Sequence, residues 1–280
     1  MTPTDKALWV IERNLASPLT LGEIAVACGV SSYHLAHAFG ASAGLSVMHY
    51  VRGRRLTNAA RSLATGATDI LDLALETGYG SHEAFSRAFR AQFRATPESV
   101  RRTASTEELP MIEAMRISDR DKIALEPPRF VQGAPLLVVG LSERQSFEAP
   151  QAIPAQWQTF MALYGDIPDK ANPIPLGISL NMDEDGNFDY VCGVEVSAFG
   201  SAPRGLVELR LRAQRYAIFQ HRGHVAQITA TYAAIWNEWL PTQDLRAVDA
   251  ASLERHLDSF DPRTGLGGVE IWIALEKEDG

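Results

Sequence analysis

Cysteine is nearly absent: Cys28 and Cys192 are the two in 280 residues, far apart and each inside an apolar run. A disulfide framework or a thiolate metal centre therefore has no support, and each cysteine reads as a small buried hydrophobe. Long apolar runs are missing as well. No stretch approaches the roughly 18 uninterrupted apolar residues of a membrane span, and Met1 to Lys6 has no basic-then-apolar leader pattern. A cytoplasmic chain without a membrane partner is the expectation. Positive charge is also short: the formal net charge is −8, which by itself argues against a general nucleic-acid binder.

That deficit is uneven. Through Ala104 there are 11 Lys/Arg against 8 Asp/Glu, and the remainder has 15 against 26. Attraction to phosphates is thus confined to the first hundred residues. Within them, Asp69 to Arg102 reads as two helices. The first, around Ile70, Leu73 and Ala74, stops at Gly78, which tolerates the positive φ of a helix C-cap. The second starts at the N-cap Ser81. On it Phe85, Phe89 and Phe93 recur at i, i+4, i+8, with Arg87, Arg90 and Arg94 about half a turn away. A short helix, a glycine turn and a helix with a basic outer stripe fit a helix-turn-helix. A solvated charged face on an ordinary helical hairpin is the bland alternative.

An internal repeat favours the first reading. Glu23-Ile-Ala-Val-Ala-Cys-Gly29 matches Asp72-Leu-Ala-Leu-Glu-Thr-Gly78 at an offset of 49, and from Ser31 the offset becomes 50, pairing Leu35 with Phe85, His37 with Arg87 and Phe39 with Phe89. The second copy has one more residue in its turn. Thr20 and Glu23 form a capping box at the entry of the first copy. Residues 46–63 lack proline and fit one connecting helix. Residues 7–102 therefore resemble the DNA-binding domain of the AraC/XylS family of bacterial transcription regulators. The resemblance is carried by the Leu21-to-Phe39 unit, by Tyr50-Val51-Arg52 with Arg55-Leu56, by Gly78-Tyr79 followed by Phe85-Ser86-Arg87-Ala88-Phe89-Arg90, and by Thr96-Pro97. Arg94 stands where a glycine is usual, and Val47 where a proline is expected.

The resemblance implies two reading helices in successive major grooves, roughly 34 Å apart. By position in the motif, the first presents Ser32, Tyr33, Ala36 and His37, and the second Ser81, His82, Glu83, Ser86, Arg87 and Arg90. His37, Gly40 and Gly44 occupy the places of Arg87, Arg90 and Arg94, so the first reader offers almost no charge. The second unit and Arg52, Arg54 and Arg55 of the connecting helix are expected to carry much of the phosphate attraction. Arg87 suits a bidentate contact to guanine, worth about 1–3 kcal/mol of discrimination; a salt bridge to Glu83 is its structural role, worth about 0.3–0.5 kcal/mol. Glu83 stands between reading a cytosine amino group and holding Arg87.

After residue 104 the pattern loses its helical period. The expected organisation is a DNA-binding domain over 1–104, a linker over 105–110 and a second domain over 111–280. In the latter, 136–141, 189–196, 206–211, 216–220 and 269–275 are strand-like and 153–164 and 224–240 helical. Grouped strands without βαβ regularity indicate an α+β domain. This half resembles the GyrI-like effector-binding domain through Tyr216-Ala-Ile-Phe-Gln-His-Arg-Gly223, Ile235-Trp-Asn-Glu-Trp-Leu-Pro241, Leu253-Glu-Arg-His256 and Glu270-Ile-Trp-Ile273. The implied fold is two pseudo-symmetric strand-helix-strand-strand units with a pocket between them. Ala274 stands where a proline is frequent.

Alternation along the last strand puts Glu270 and Trp272 on one face. A carboxylate beside an indole suits a lipophilic cation. Trp157, Tyr232, Trp236 and Trp239 are further candidates to line an effector site, with Glu195 and Glu254 as second acids. Core packing of the aromatics and solvation of the acids is the competing reading. His221 and His224 lack a third ligand at suitable spacing, so no metal and no cofactor is expected. No nucleophile–base motif is present, so catalytic residues are not expected either. The sequence thus describes a DNA-binding transcription regulator sensing a small hydrophobic or cationic effector, with promoter DNA as partner and RNA polymerase as a further candidate. The alternative is a GyrI-like small-molecule hydrolase or sequestering protein carrying a DNA-binding domain.

Overall fold

A computed structural model describes residues 1–66, 69–116, 123–200 and 202–277. The chain divides into two compact units: Met1–Ser32 with Ser46–Ser118, and Tyr33–Leu45 with Asp119–Gly280. The third helix is therefore counted with the second unit.

Among the described residues, seven helices occupy the first part: α1 (Pro3–Arg13), α2 (Leu21–Cys28), α3 (Ser32–Ala43), α4 (Val47–Ala64), α5 (Ile70–Glu76), α6 (His82–Phe93) and α7 (Pro97–Thr103). Their starts follow the capping chemistry. Thr2, Thr20 and Thr96 form capping boxes, and Ser46, Asp69 and Ser81 accept a backbone N–H of the following turn. Gly29 (φ 77°) and Gly78 (φ 86°) take the expected left-handed stops. Val47 fills the first position of α4, where proline is the favoured residue. Arg94 ends α6 at φ 54°, a conformation that costs a residue with a Cβ.

In the first unit Phe85, Phe89 and Phe93 of α6 pack with Leu56, Ala60 and Leu63 of α4 and with Ile70 and Leu73 of α5. Arg54 is buried. Its guanidinium donates to both carboxylate oxygens of Glu12 at 2.8 and 2.9 Å and to the Ile112 carbonyl. Burial alone would raise the Glu12 pKa, but hydrogen bonds from Arg54 and Tyr50 bring it below the usual range. The chain beyond residues 105–110 stays with this unit: Ile112 N–H donates to Thr57 and Met115 N–H to the Tyr50 hydroxyl.

The second unit is built on an eight-stranded antiparallel sheet. Its strands are β1 (Arg129–Gly133), β2 (Leu136–Ser146), β3 (Leu176–Leu180), β4 (Asn187–Glu195), β5 (Val207–Leu211), β6 (Gln214–His221), β7 (Ser252–His256) and β8 (Val269–Leu275), in the order β1-β6-β8-β7-β3-β4-β2-β5. With α8 (Ala152–Leu163) after β2 and α9 (Ile228–Ala234) after β6, the units β2-α8-β3-β4 and β6-α9-β7-β8 repeat one plan and meet at the β3–β7 seam. Strands β1, β3 and β7 escape the sequence pattern. Each has five residues, as has β5, which the pattern did show. The helix expected over 224–240 is interrupted: α9 passes into a π-helical turn, Ile235–Trp239, and a short 3₁₀ turn at Leu240–Thr242.

Candidate functional site

On α6 the aromatic stripe is buried and Arg87, Arg90 and Arg94 are exposed. Ser81 spends its hydroxyl on the cap, accepting from Ala84 N–H. Glu83 is exposed, and its own backbone N–H and the Ser81 hydroxyl hold its carboxyl below the usual range, with Arg87 a minor influence. The Glu83 carboxylate thus serves the helix N-terminus, a third role beside the two expected. His82 lies 3.3 Å from the Glu98 carboxylate, and the buried Ser86 hydroxyl has no protein partner.

The connecting-helix arginines divide. Arg52 is exposed. Arg55 instead donates to the carbonyls of Leu15 and Ser17 at 2.8 and 2.6 Å, and Arg54 is consumed by Glu12. Two of the three expected phosphate contacts are therefore structural, because α4 turns those side chains toward neighbouring backbone and a buried acid.

The first reader is corrected more sharply. Ser32 is exposed, and Tyr33, Ala36 and His37 are half-buried, with the Tyr33 and His37 rings both against Trp236. The His37 ring lies 4.2 Å from Tyr33 and 4.6 Å from Trp236. Burial pushes the His37 pKa down to about 4, against the hydrogen bond His37 donates to the Tyr33 carbonyl.

The effector candidates fall on opposite faces of the sheet. Cross-strand partners share a face. Glu254 is opposite Gly177 and Ile271, and Gly177 is opposite Cys192, so these lie on the face covered by α8 and α9. Arg255 is opposite Glu270, and Leu253 opposite Trp272, which places Glu270, Trp272, Arg255 and Glu195 on the other face.

On that second face the charges are already committed. Arg129 donates to both Glu270 oxygens at 2.8 and 2.9 Å, and Trp272 Nε1 donates to Glu270 at 3.0 Å. The Arg255 guanidinium sits 4.6 Å over the Trp272 ring and pairs at 2.5 Å with Glu195, in charge although not as a directional hydrogen bond. The carboxylate-and-indole seat exists, but the chain's own arginines fill it. Glu270, Trp272 and Glu195 of the expected effector set are thus engaged with Arg129 and Arg255.

Glu254 is different. It is half-buried and has no cation within pairing distance among the described residues. The Tyr190 hydroxyl donates to its Oε2 at 2.7 Å and the Tyr232 hydroxyl to its Oε1 at 3.0 Å. Trp157 Nε1 donates to the Tyr190 oxygen at 3.3 Å, and the Trp157 ring meets His256 at 5.1 Å. Burial raises the Glu254 pKa, with the two phenols opposing. Gly177 makes room: a Cβ there would lie 2.2 Å from the Tyr190 oxygen. Of the expected set, the structure assembles Glu254, Trp157 and Tyr232. Trp236 is fully buried against Tyr33, His34 and His37, and Trp239 packs on Phe219 and Phe130.

Sequence reading missed Tyr190 and Gly177. The alternation of β4, with Tyr190, Cys192 and Val194 on one face, points toward Tyr190; Gly177 has no such signal. His221 bonds to Thr231 and to the His224 carbonyl. Among the described residues no group of three or more His, Cys, Asp or Glu could hold a metal ion, and no helix is long and apolar enough to cross a membrane. An open groove of about 560 Å³ along β1, lined by Phe130, Val131, Gln132, Arg215 and Lys277, includes no carboxylate.

Comparison with known proteins agrees with both halves. Residues 126–276 match the GyrI-like small molecule binding domain and residues 10–103 a helix-turn-helix domain. The chain is 25% identical to the transcriptional regulator Rob of Salmonella typhimurium, over 93% of this chain and 92% of that one. It is 36% identical to the regulatory protein SoxS of Escherichia coli, over 35% of this chain and 90% of that one. Among solved structures, SAV2435 bound to tetraphenylphosphonium is similar over 54% of this chain and 94% of that one, with 20% identity and a TM-score of 0.44.

Proposed function

We propose, from the premise that this chain belongs to the GyrI-like family and joins its small-molecule-binding domain to an AraC-type helix-turn-helix half, that Glu254 is the charge partner of a lipophilic cation. The protein is a DNA-binding transcription regulator, and the effector half supplies its signal. The observation that carries the reading is a carboxylate within an aromatic wall, held by two phenols, with no ion pair among the described residues. A permanent organic cation completes that arrangement: its charge meets Glu254 and its rings meet Trp157, Tyr190 and Tyr232.

The site senses and does not turn over substrate. The Glu254 oxygens are occupied by hydroxyl donors, and those phenols are themselves poor acids, since burial and then the Glu254 charge raise their pKa values. The DNA half works in the cytoplasm on promoter DNA, with α6 as its charged reader and RNA polymerase as the complex it acts upon.

Tetraphenylphosphonium, a rigid aromatic cation whose charge does not titrate, is a suitable probe. Two unit charges about 5 Å apart at an effective dielectric near 20 gain about 3 kcal/mol. After desolvation, Glu254→Gln should weaken binding by about 10–100-fold in calorimetric titration, while DNA affinity stays the same. Wild-type affinity should also fall with pH through a midpoint above the usual carboxylate range, the raised Glu254 pKa. Equal affinity in the Gln variant removes Glu254 from the site.

A further inference from the structure

We propose that α3 is the gate of the Glu254 site, so that ligand entry and release of the first reading helix are one event. The inference rests on the ligand reading above and adds the means by which the signal leaves the site.

The observations lie within the second compact unit, to which residues 33–45 belong. Tyr33 packs against the cluster that contains Tyr232 and Trp236, and Tyr232 is one of the two donors to Glu254. The Tyr33 hydroxyl reaches the Ala250 carbonyl at 3.4 Å, and Ser252 bonds it as well. Ser252 is two residues before Glu254 on β7, on the same sheet face. Tyr33 therefore walls the approach to the carboxylate.

The helix is fastened by groups suited to that contact and to nothing in a DNA groove. His34 Nε2–H donates to the Trp236 carbonyl at 2.6 Å. Asn237 donates to the Ala38 carbonyl at 3.1 Å and to the Ser42 hydroxyl at 3.0 Å. Both Trp236 and Asn237 belong to the π-helical turn, which takes the place of regular helix beneath α3. Gly40 lets the backbone of α3 lie against the Phe147 ring, where a Cβ would be 2.3–2.6 Å from ring carbons. A mid-helix glycine lowers helix propensity, and this contact is what it permits. The closed arrangement leaves the buried Trp236 Nε1 without a partner.

A ligand that lodges between Tyr232 and Glu254 must part Tyr232 from the carboxylate and disturb the cluster on which Tyr33 and Tyr232 both pack, and α3 must leave. The same departure exposes Tyr33 and His37, which the motif assigns to base contacts. Closed α3 and occupied site are thus mutually exclusive, and by linkage the ligand favours the DNA-reading state.

The test uses the full chain and two variants. Gly40→Ala improves the helix yet collides with Phe147, and Asn237→Ala removes two fastenings without adding bulk. Hydrogen exchange across residues 33–43 should accelerate in both variants without ligand. Their footprint on the chain's own upstream DNA should extend from one half-site to two. Tetraphenylphosphonium should accelerate exchange of the same residues in wild type and bind about tenfold tighter to Gly40→Ala, since closing no longer competes. Ligand-free exchange and footprints identical to wild type in both variants overturn the gate. Equal tetraphenylphosphonium affinity with no change in α3 exchange also overturns it, while leaving Glu254 as a binding site. Failure of the cation to bind any form refutes the ligand class instead, and the ligand-free comparison then still decides the gate.

Discussion

Replacing Gly177 with alanine tests the geometry of the acidic site directly. The new Cβ would stand 2.2 Å from Tyr190 Oη, 2.9 Å from its Cζ and 3.1 Å from Glu254 Oε2. Restoring an ordinary contact of about 3.4 Å moves the hydroxyl by about 1.2 Å. The 2.7 Å bond to Glu254 then opens beyond hydrogen-bonding reach. Losing a hydrogen bond to a charged, half-buried acceptor costs about 1.5–3 kcal/mol, and crowding about 1–3 kcal/mol more. The reduced entropy of the unfolded alanine chain offsets about 0.5–1 kcal/mol. The net expectation is about 1.5–5.5 kcal/mol of destabilisation. Urea unfolding followed by tryptophan fluorescence reports it, because Trp157, Trp236, Trp239 and Trp272 lie in this half and only Trp9 outside it. In a Tyr190→Phe background the colliding oxygen is gone, so the same alanine should cost at least about 1 kcal/mol less. Costs that add within about 0.5 kcal/mol across the cycle would refute the proposed contact.

Arg94→Gly should stabilise the first unit by about 1 kcal/mol in thermal unfolding, since glycine takes the left-handed end of α6 without strain; no gain would mean that the Arg94 side chain contributes a compensating contact. Arg54→Ala should destabilise by about 3 kcal/mol by stranding Glu12, and Arg87→Ala should leave stability within about 0.5 kcal/mol but reduce the salt slope of DNA binding by about one unit. Interchanged outcomes would reverse the two roles. For pH, a free histidine titrates near 6.5 while closed His37 is held at about 4. Closing of α3 is therefore fully supported above pH 6.5 and loses support as pH falls from 6.5 toward 4. The groups facing His37 are Tyr33, His34 and Trp236, with Asp249 acting on Tyr33. At pH 5.5 the loss is about 1 kcal/mol after allowance for the partial solvent contact of the ring. Imidazole NMR should show His37 titrating near 6.5 in Gly40→Ala and far lower in wild type; identical titrations would refute it.

The architecture was legible in the sequence because local chemistry fixes it. Glycine stops at Gly29 and Gly78, hydroxyl caps at Thr20 and Ser81, and the Phe85–Phe89–Phe93 stripe each depend on residues a turn apart, and they place the paired helix-turn-helix without reference to the rest of the chain. Alternation in β4 and β8 likewise gave faces correctly within one strand. What a strand's own pattern leaves open is which partner strand shares its face. Glu270 and Trp272 do stand together, as alternation required, but register pairs them with Arg129 and Arg255 instead of an open pocket. The same register brings Glu254, an unremarkable acid in a five-residue strand, beside Gly177 and within reach of Tyr190 on β4 and Tyr232 on α9. Position in a motif also assigned Tyr33 and His37 to DNA, because a repeat records where a side chain sits on its helix. Only tertiary packing decides what covers that helix, and in this chain Trp236 and Asn237 do. Helices, caps and face periodicity were thus set by neighbours in sequence, while the surroundings of Glu254 and the engagement of α3 were set by contacts from 13 to more than 200 residues apart, which no local pattern encodes.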